Sequence, residues 1–133
     1  MKKIALTFFS LALVASLVAM NTRPVSGNPD AAIFNWTRIE YDFGKIKVGV
    51  PVTYEFKFTN KGDIPLVIST VQASCGCTVT SYTKDPIAPG AEGYVKATYN
   101  AASIGQFTKT VTVNANTEEG VAKLTIKGEV VAL

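Results

Sequence analysis

Apolar and polar residues alternate in short runs along this chain, with turn-forming residues between the runs. Val52, Tyr54, Phe56 and Phe58 alternate with Thr53, Glu55, Lys57 and Thr59, the clearest period-two segment in the sequence. An earlier run places Ile39, Tyr41 and Phe43 against Glu40 and Asp42 and is expected to end at Gly44. Asn60-Lys61-Gly62-Asp63 supplies turn chemistry, because Asn, Gly and Asp stabilise or tolerate turn backbone angles. Ile64 to Val71 is more continuously apolar, as for a strand packed on both faces or at its end, with Pro65 confined to its start or edge. Thr78 to Tyr82, Tyr94 to Tyr99, Phe107 to Asn114 and Val121 to Val131 are further strand candidates, and Asp85 to Gly90 reads as a loop.

After residue 28 no apolar pattern holds helical spacing over three turns. About seven short strands with turn signals between them predict an all-β sandwich or barrel. The predicted core comprises Tyr54, Phe56, Phe58, Leu66, Ile68, Val95, Ala97, Val111, Val113, Leu124 and Ile126. Thr108, Thr110 and Thr112 are expected on a solvated sheet face. Trp36 is expected to cover an open edge of the sandwich.

The N-terminus departs from this pattern. Lys2 and Lys3 precede an apolar run from Ile4 to Met20 that is broken by Thr7, Ser10 and Ser16. That is the arrangement of a secretory signal, with Pro24 and small polar residues just beyond it. Residues 1–27 are therefore read as a signal peptide, 28–38 as a lead-in segment and 39–133 as the folded domain. Val14-Ala15-Ser16 and Val25-Ser26-Gly27 both offer small residues for cleavage. The alternative is an uncleaved anchor, since the run approaches the ~17–25 apolar residues of a spanning helix. With the leader removed, no membrane insertion is expected, and the protein is expected in the periplasm or cell envelope.

Export changes the charge picture. Three of the thirteen basic residues, Lys2, Lys3 and Arg23, precede Asn28, leaving ten basic residues against ten acidic ones in the mature domain. The formal charge of +3 thus belongs to the precursor. No cationic face is required by composition, which argues against a nucleic-acid partner. About 105 residues remain, enough for one domain. With 47% of the chain apolar, the core does not depend on disulfide staples.

Cys75 and Cys77 are the only cysteines, separated by Gly76. In an extended strand, residues i and i+2 lie about 6.6 Å apart with parallel side chains, so a bond between them requires a turn at Gly76. Such a bond closes a very short loop and constrains the unfolded chain by only ~1.6 kcal/mol. Three uses stay open: a local bridge or small apolar pair shaping a loop, a thiol-redox pair, or two soft ligands for Cu(I) or Zn(II). The familiar redox signature has two intervening residues, and a structural zinc site takes four ligands. The chain contains no histidine, which removes the Ser-His-Asp and Cys-His arrangements. Asp42, Asp63, Asp85 and Glu92 are dispersed, with no spacing that pairs them for acid–base work. No catalytic residue and no cofactor is expected.

Several elements occur together in order: Phe43-Gly44, Val48-Gly49, Phe56-x-Phe58-x-Asn60-x-Gly62, Pro65-Leu66-x-Ile68, Ser74-Cys75-Gly76-Cys77-Thr78 and Pro86-Ile87-Ala88-Pro89-Gly90. In these the chain resembles a bacterial secreted domain-of-unknown-function family with a Cys-Gly-Cys-Thr motif. That family is similar to the immunoglobulin-like domains of the major sperm protein, ASH and Hydin group. The resemblance covers Ile39 to about Val131. It implies a seven-stranded immunoglobulin-like sandwich and brings no established activity. The resulting expectation is a non-enzymatic module that binds another envelope protein through sheet edges and loops. The rival is a thiol-redox or metal-handling protein using Cys75 and Cys77.

Overall fold

A computed structural model of the chain describes residues 30–133; the predicted leader lies outside them. Eight strands are present among the described residues: β1 (Phe34–Trp36), β2 (Glu40–Lys47), β3 (Val52–Asn60), β4 (Ile68–Ala73), β5 (Thr78–Tyr82), β6 (Glu92–Tyr99), β7 (Gly105–Ala115) and β8 (Val121–Val131). They form two four-stranded sheets, ordered β1-β3-β6-β5 and β2-β8-β7-β4, and no helix occurs among the described residues. This is the expected immunoglobulin-like sandwich, with one strand more than the expected seven. The additional strand is β1, formed within the segment read as a lead-in, where Ala31 and Ala32 are also buried. Three residues are too few to display period two, and β1 exists because β3 pairs with it, Trp36 lying opposite Phe58.

The inner faces follow the alternation. Phe56, Phe58, Leu66, Ile68, Val95, Ala97, Val111, Val113, Leu124 and Ile126 are all buried. Tyr54 is only half-buried and stacks on Tyr41, ring centroids 3.9 Å apart. Phe58 stands at the centre of an aromatic cluster with Phe34 at 4.8 Å and Trp36 at 4.9 Å, both edge-on. Gly93 lies opposite Phe58 on β6, and a Cβ there would fall 2.4 Å from the ring. Gly93→Ala should therefore overpack the core and destabilise by about 1–3 kcal/mol in a urea melt.

Two segments depart from the simple alternation. Gly44 does not end its strand: it adopts φ +68°, and the pairing of β2 with β8 shifts register between Asp42 and Lys45. That bulge changes the parity of β2. Tyr41 and Phe43 face inward before it, whereas buried Ile46 and half-buried Val48 do so after it. The segment from Ile64 is not packed on both faces. Val67 is 39% exposed between buried Leu66 and Ile68, and regular pairing begins only at Ile68. Asn116 holds the preceding stretch instead: its Oδ1 accepts from the Val67 N–H (2.7 Å) and its Nδ2 donates to the Pro65 carbonyl (3.0 Å).

The fold is also pinned by one buried polar side chain. Asn60 is fully buried at the end of β3. Its Nδ2 donates to the carbonyls of Ile64 (2.8 Å) and Ile87 (3.0 Å). Its Oδ1 accepts from the N–H groups of Gly62 (2.9 Å) and Ile33 (3.3 Å). The approach to β1, the β3–β4 turn and the loop before β6 thus meet at one amide. Gly62 is required at this corner, since a Cβ would lie 2.0 Å from the Ala31 carbonyl oxygen.

Candidate functional site

Cys75 and Cys77 sit in the turn that carries the chain from β4, at the edge of one sheet, to β5, at the edge of the other. The turn brings the two sulfurs to disulfide distance, with Cα atoms 5.3 Å apart. Both cysteines are half-buried, and Cys77 packs against the core. The turn spans Ser74 to Cys77, while Thr78 is already the first residue of β5 and is buried.

The turn is anchored without the sulfurs. The Ser74 N–H donates to the Thr110 carbonyl (2.8 Å), the Thr110 N–H donates to Ser74 Oγ (3.1 Å), and the Asn100 N–H donates to the Cys77 carbonyl (3.1 Å). Gly76 has a lesser role than its position suggests. Its φ lies outside the left-handed region, and a Cβ there would meet nothing within 4 Å. Thr78 Oγ1 lies 3.7 Å from Cys75 Sγ. Changing both cysteines to serine should cost no more than about 2 kcal/mol in urea melts, because a three-residue loop is closed and backbone hydrogen bonds hold the turn.

The carboxylates Asp42, Asp63, Asp85 and Glu92 are all exposed. Among the described residues, no three Asp, Glu, Cys or His side chains come together. Glu40 and Lys127 form an ion pair at 2.6 Å across β2 and β8. The hydrogen bond that Lys127 donates to Glu40, then the carboxylate's charge, raises the Lys127 pKa above its ordinary value. The pair is exposed and of small energetic weight.

The four sheet edges differ sharply. β1 is three residues long, and β2 carries Glu40, Asp42, Lys45 and Lys47 besides its bulge. Short length, charge and bulges are the devices that deter another chain from pairing. β4 and β5, on the opposite side, have none of the charges: Ile64 to Thr83 contains no Asp, Glu, Lys or Arg. Sequence reasoning missed this edge, although the charge-free run is visible in the chain, because its significance depends on strand order. Trp36 lies on the inner face of edge strand β1, stacked on Phe34 at 4.8 Å. With Phe34, Ile39, Val121 and Ala122 it lines a groove of ≈ 390 Å³.

Residues 34–130 match the family described as "Protein of unknown function (DUF1573)". No curated protein matches the chain. Among solved structures, a protein of unknown function from Porphyromonas gingivalis W83 is similar at 14% identity and TM-score 0.68, over 81% of this chain and 51% of that one. This chain thus spans about half the length of that protein. The ASH/PapD-like domain 7 of human CEP192 is similar at 9% identity and TM-score 0.67, over 87% of this chain and 96% of that one. The Vibrio cholerae VesB protease is similar at 17% identity and TM-score 0.58, over 73% of this chain and 31% of that one. At such identities the likeness is one of fold.

Proposed function

The chain belongs to the DUF1573 family of proteins of unknown function, and from that membership and the geometry of its edges we infer that it is an exported, non-enzymatic immunoglobulin-like module that binds another protein of the cell envelope. The observation that carries the reading is the asymmetry of the sandwich: charged or very short edges at β1 and β2, charge-free edges at β4 and β5, of which β5 has no register shift either. A signal-like N-terminus supports export, and a formally neutral mature domain supports a protein partner over an anionic polymer. The cysteine turn acts here as a local brace between the two edge strands. The second reading, thiol exchange or soft-metal binding at Cys75 and Cys77, draws on one observation, that both sulfurs are adjacent and half-exposed.

Capture from envelope extract with the wild type and the Cys75→Ser/Cys77→Ser variant separates the two. Retention of the same partner by both supports the module. Turnover of a disulfide substrate, lost on substitution, or tight Cu(I) binding by the reduced protein would transfer the function to the sulfurs. Intact mass of the protein recovered from the native host's envelope should show loss of at least the first 16 residues. Recovery of the full precursor in the soluble cytoplasm would contradict export.

A further inference from the structure

The β5 edge has a definite hydrogen-bonding pattern. β5 pairs with β6 in unbroken antiparallel register, Thr78 opposite Tyr99 through Tyr82 opposite Val95. At its two ends, the Asn100 N–H donates to the Cys77 carbonyl and the Thr83 N–H donates to the Tyr94 carbonyl. Antiparallel pairs alternate between bonded and non-bonded, so odd-numbered residues of β5 turn their backbone groups toward β6 and even-numbered ones turn theirs outward. The Thr78 N–H is taken by the Cys75 carbonyl (3.4 Å). The N–H and C=O groups of Thr80 and Tyr82 have no hydrogen-bond partner among the described residues. An edge strand with such a row of free groups is a template for one more strand.

Two further observations narrow the site. β4, the neighbouring edge, shifts register between Ile68 and Thr70, a distortion that twists an edge away from pairing, whereas β5 shows none. At this side of the sandwich Val71, Cys77 and Tyr82 pack against the core yet are only partly buried. An added strand would place alternate side chains over them and seal the gap between the sheets.

We propose that β5 is a strand-addition site that takes an extended, uncharged segment of a partner protein, with apolar side chains at alternate positions. The proposal rests on the module reading above and names its surface and the chemistry of its partner. The uncharged run from Ile64 to Thr83 sets the charge of the segment. A partner charge laid along β5 would meet no charge on the strand itself, and the nearest in register, Lys96 opposite Ser81, is already paired with Glu55 at 3.5 Å. A second copy of this chain fits less well. Its own β5 turns Thr78, Thr80 and Tyr82 toward its own core, opposite Tyr99, Ala97 and Val95. Those side chains are then not free to cover Val71 and Tyr82 of the first copy. Two five-residue edges alone also fall short of the ~1,200 Å² of a stable interface.

The test uses the full chain in its native host with a photo-crosslinking residue, p-benzoylphenylalanine, replacing exposed Ser81 in β5 or, for comparison, exposed Lys45 in β2. The expected result is a Ser81 crosslink that maps to one contiguous, uncharged, alternating segment of a partner. A synthetic peptide of that segment should bind the purified protein. Thr80→Pro removes one outward N–H and should weaken the peptide tenfold or more, as should Ser81→Lys, which places a charge beside the edge without entering the core. A circular-dichroism melt checks that each variant stays folded, and Ser81→Lys carries the test if Thr80→Pro does not. A crosslink to a second copy, a charged segment, or unchanged affinity in a folded variant would overturn the proposal. Capture from Lys45 and not from Ser81 would overturn the edge while leaving the module reading standing. Capture from neither position would overturn both.

Discussion

Phe58→Ala is expected to lower the unfolding free energy by about 3–5 kcal/mol, measured in urea at constant m-value. The side chain is 1% exposed, touches Phe34 and Trp36 edge-on, and is flush against Gly93. Its removal leaves a cavity walled by two sheets, which rigid strands close poorly. It also removes the surface that β1 packs on, so the three-residue strand and its pairing with β3 should loosen together. A loss of this size is a large share of the ~5–15 kcal/mol that holds a small domain together. A loss below about 1 kcal/mol would place Phe58 outside the core and reverse the parity of β3.

Asn60→Leu should be comparably damaging, for the opposite chemical reason. Leucine has similar volume and greater hydrophobicity, so a packing account alone would predict little change. The buried amide, however, satisfies the N–H groups of Ile33 and Gly62 and the carbonyls of Ile64 and Ile87. The Ile87 carbonyl keeps its bond from the Leu66 N–H, but the other three lose this partner. The Gly62 bond is buried and those to Ile33 and Ile64 are part-buried, so at about 1–3 kcal/mol for each group left unpaired, and less where water reaches it, the total is about 3–5 kcal/mol. Equilibrium urea unfolding measures it. A stability equal to wild type would show that water or a shifted backbone replaces the amide, and that the corner is not held by Asn60.

The parity of Val52 to Thr59 was legible because alternation states directly which face is buried, and the core residues of β6, β7 and β8 follow the same rule. Three features were not legible, each because it depends on something distant in sequence. β1 needs β3 to exist, and its three residues carry no periodicity of their own. The delayed start of β4 reflects Asn116, whose side chain holds Val67 and Pro65 from a hairpin far along the chain. The continuation of β2 past Gly44 reflects a bulge that lets Ile46 and Val48 turn inward, which a simple period-two reading excludes. Asn60 and Gly62 could be seen as turn residues, but not as a knot, because their partners Ile33, Ile87 and Ala31 come from other parts of the chain. At the cysteines, closeness of the sulfurs required a turn between the strands, and the turn from Ser74 to Cys77 supplies it. That turn falls at Gly76, although neither its φ nor its surroundings call for glycine. The unguarded edge was half-visible: the missing charges are in the sequence, and only the strand order shows that they are missing from one side.

Amide hydrogen exchange of the protein alone and bound to its partner segment tests the account most directly. Strand addition predicts that the Thr80 and Tyr82 amides, exposed at the free edge, exchange at least tenfold more slowly in the complex, while the Ser81 amide, already bonded to β6, changes little. Protection confined to β2, or to the turn around Cys75 and Cys77, with Thr80 and Tyr82 unchanged, would contradict it.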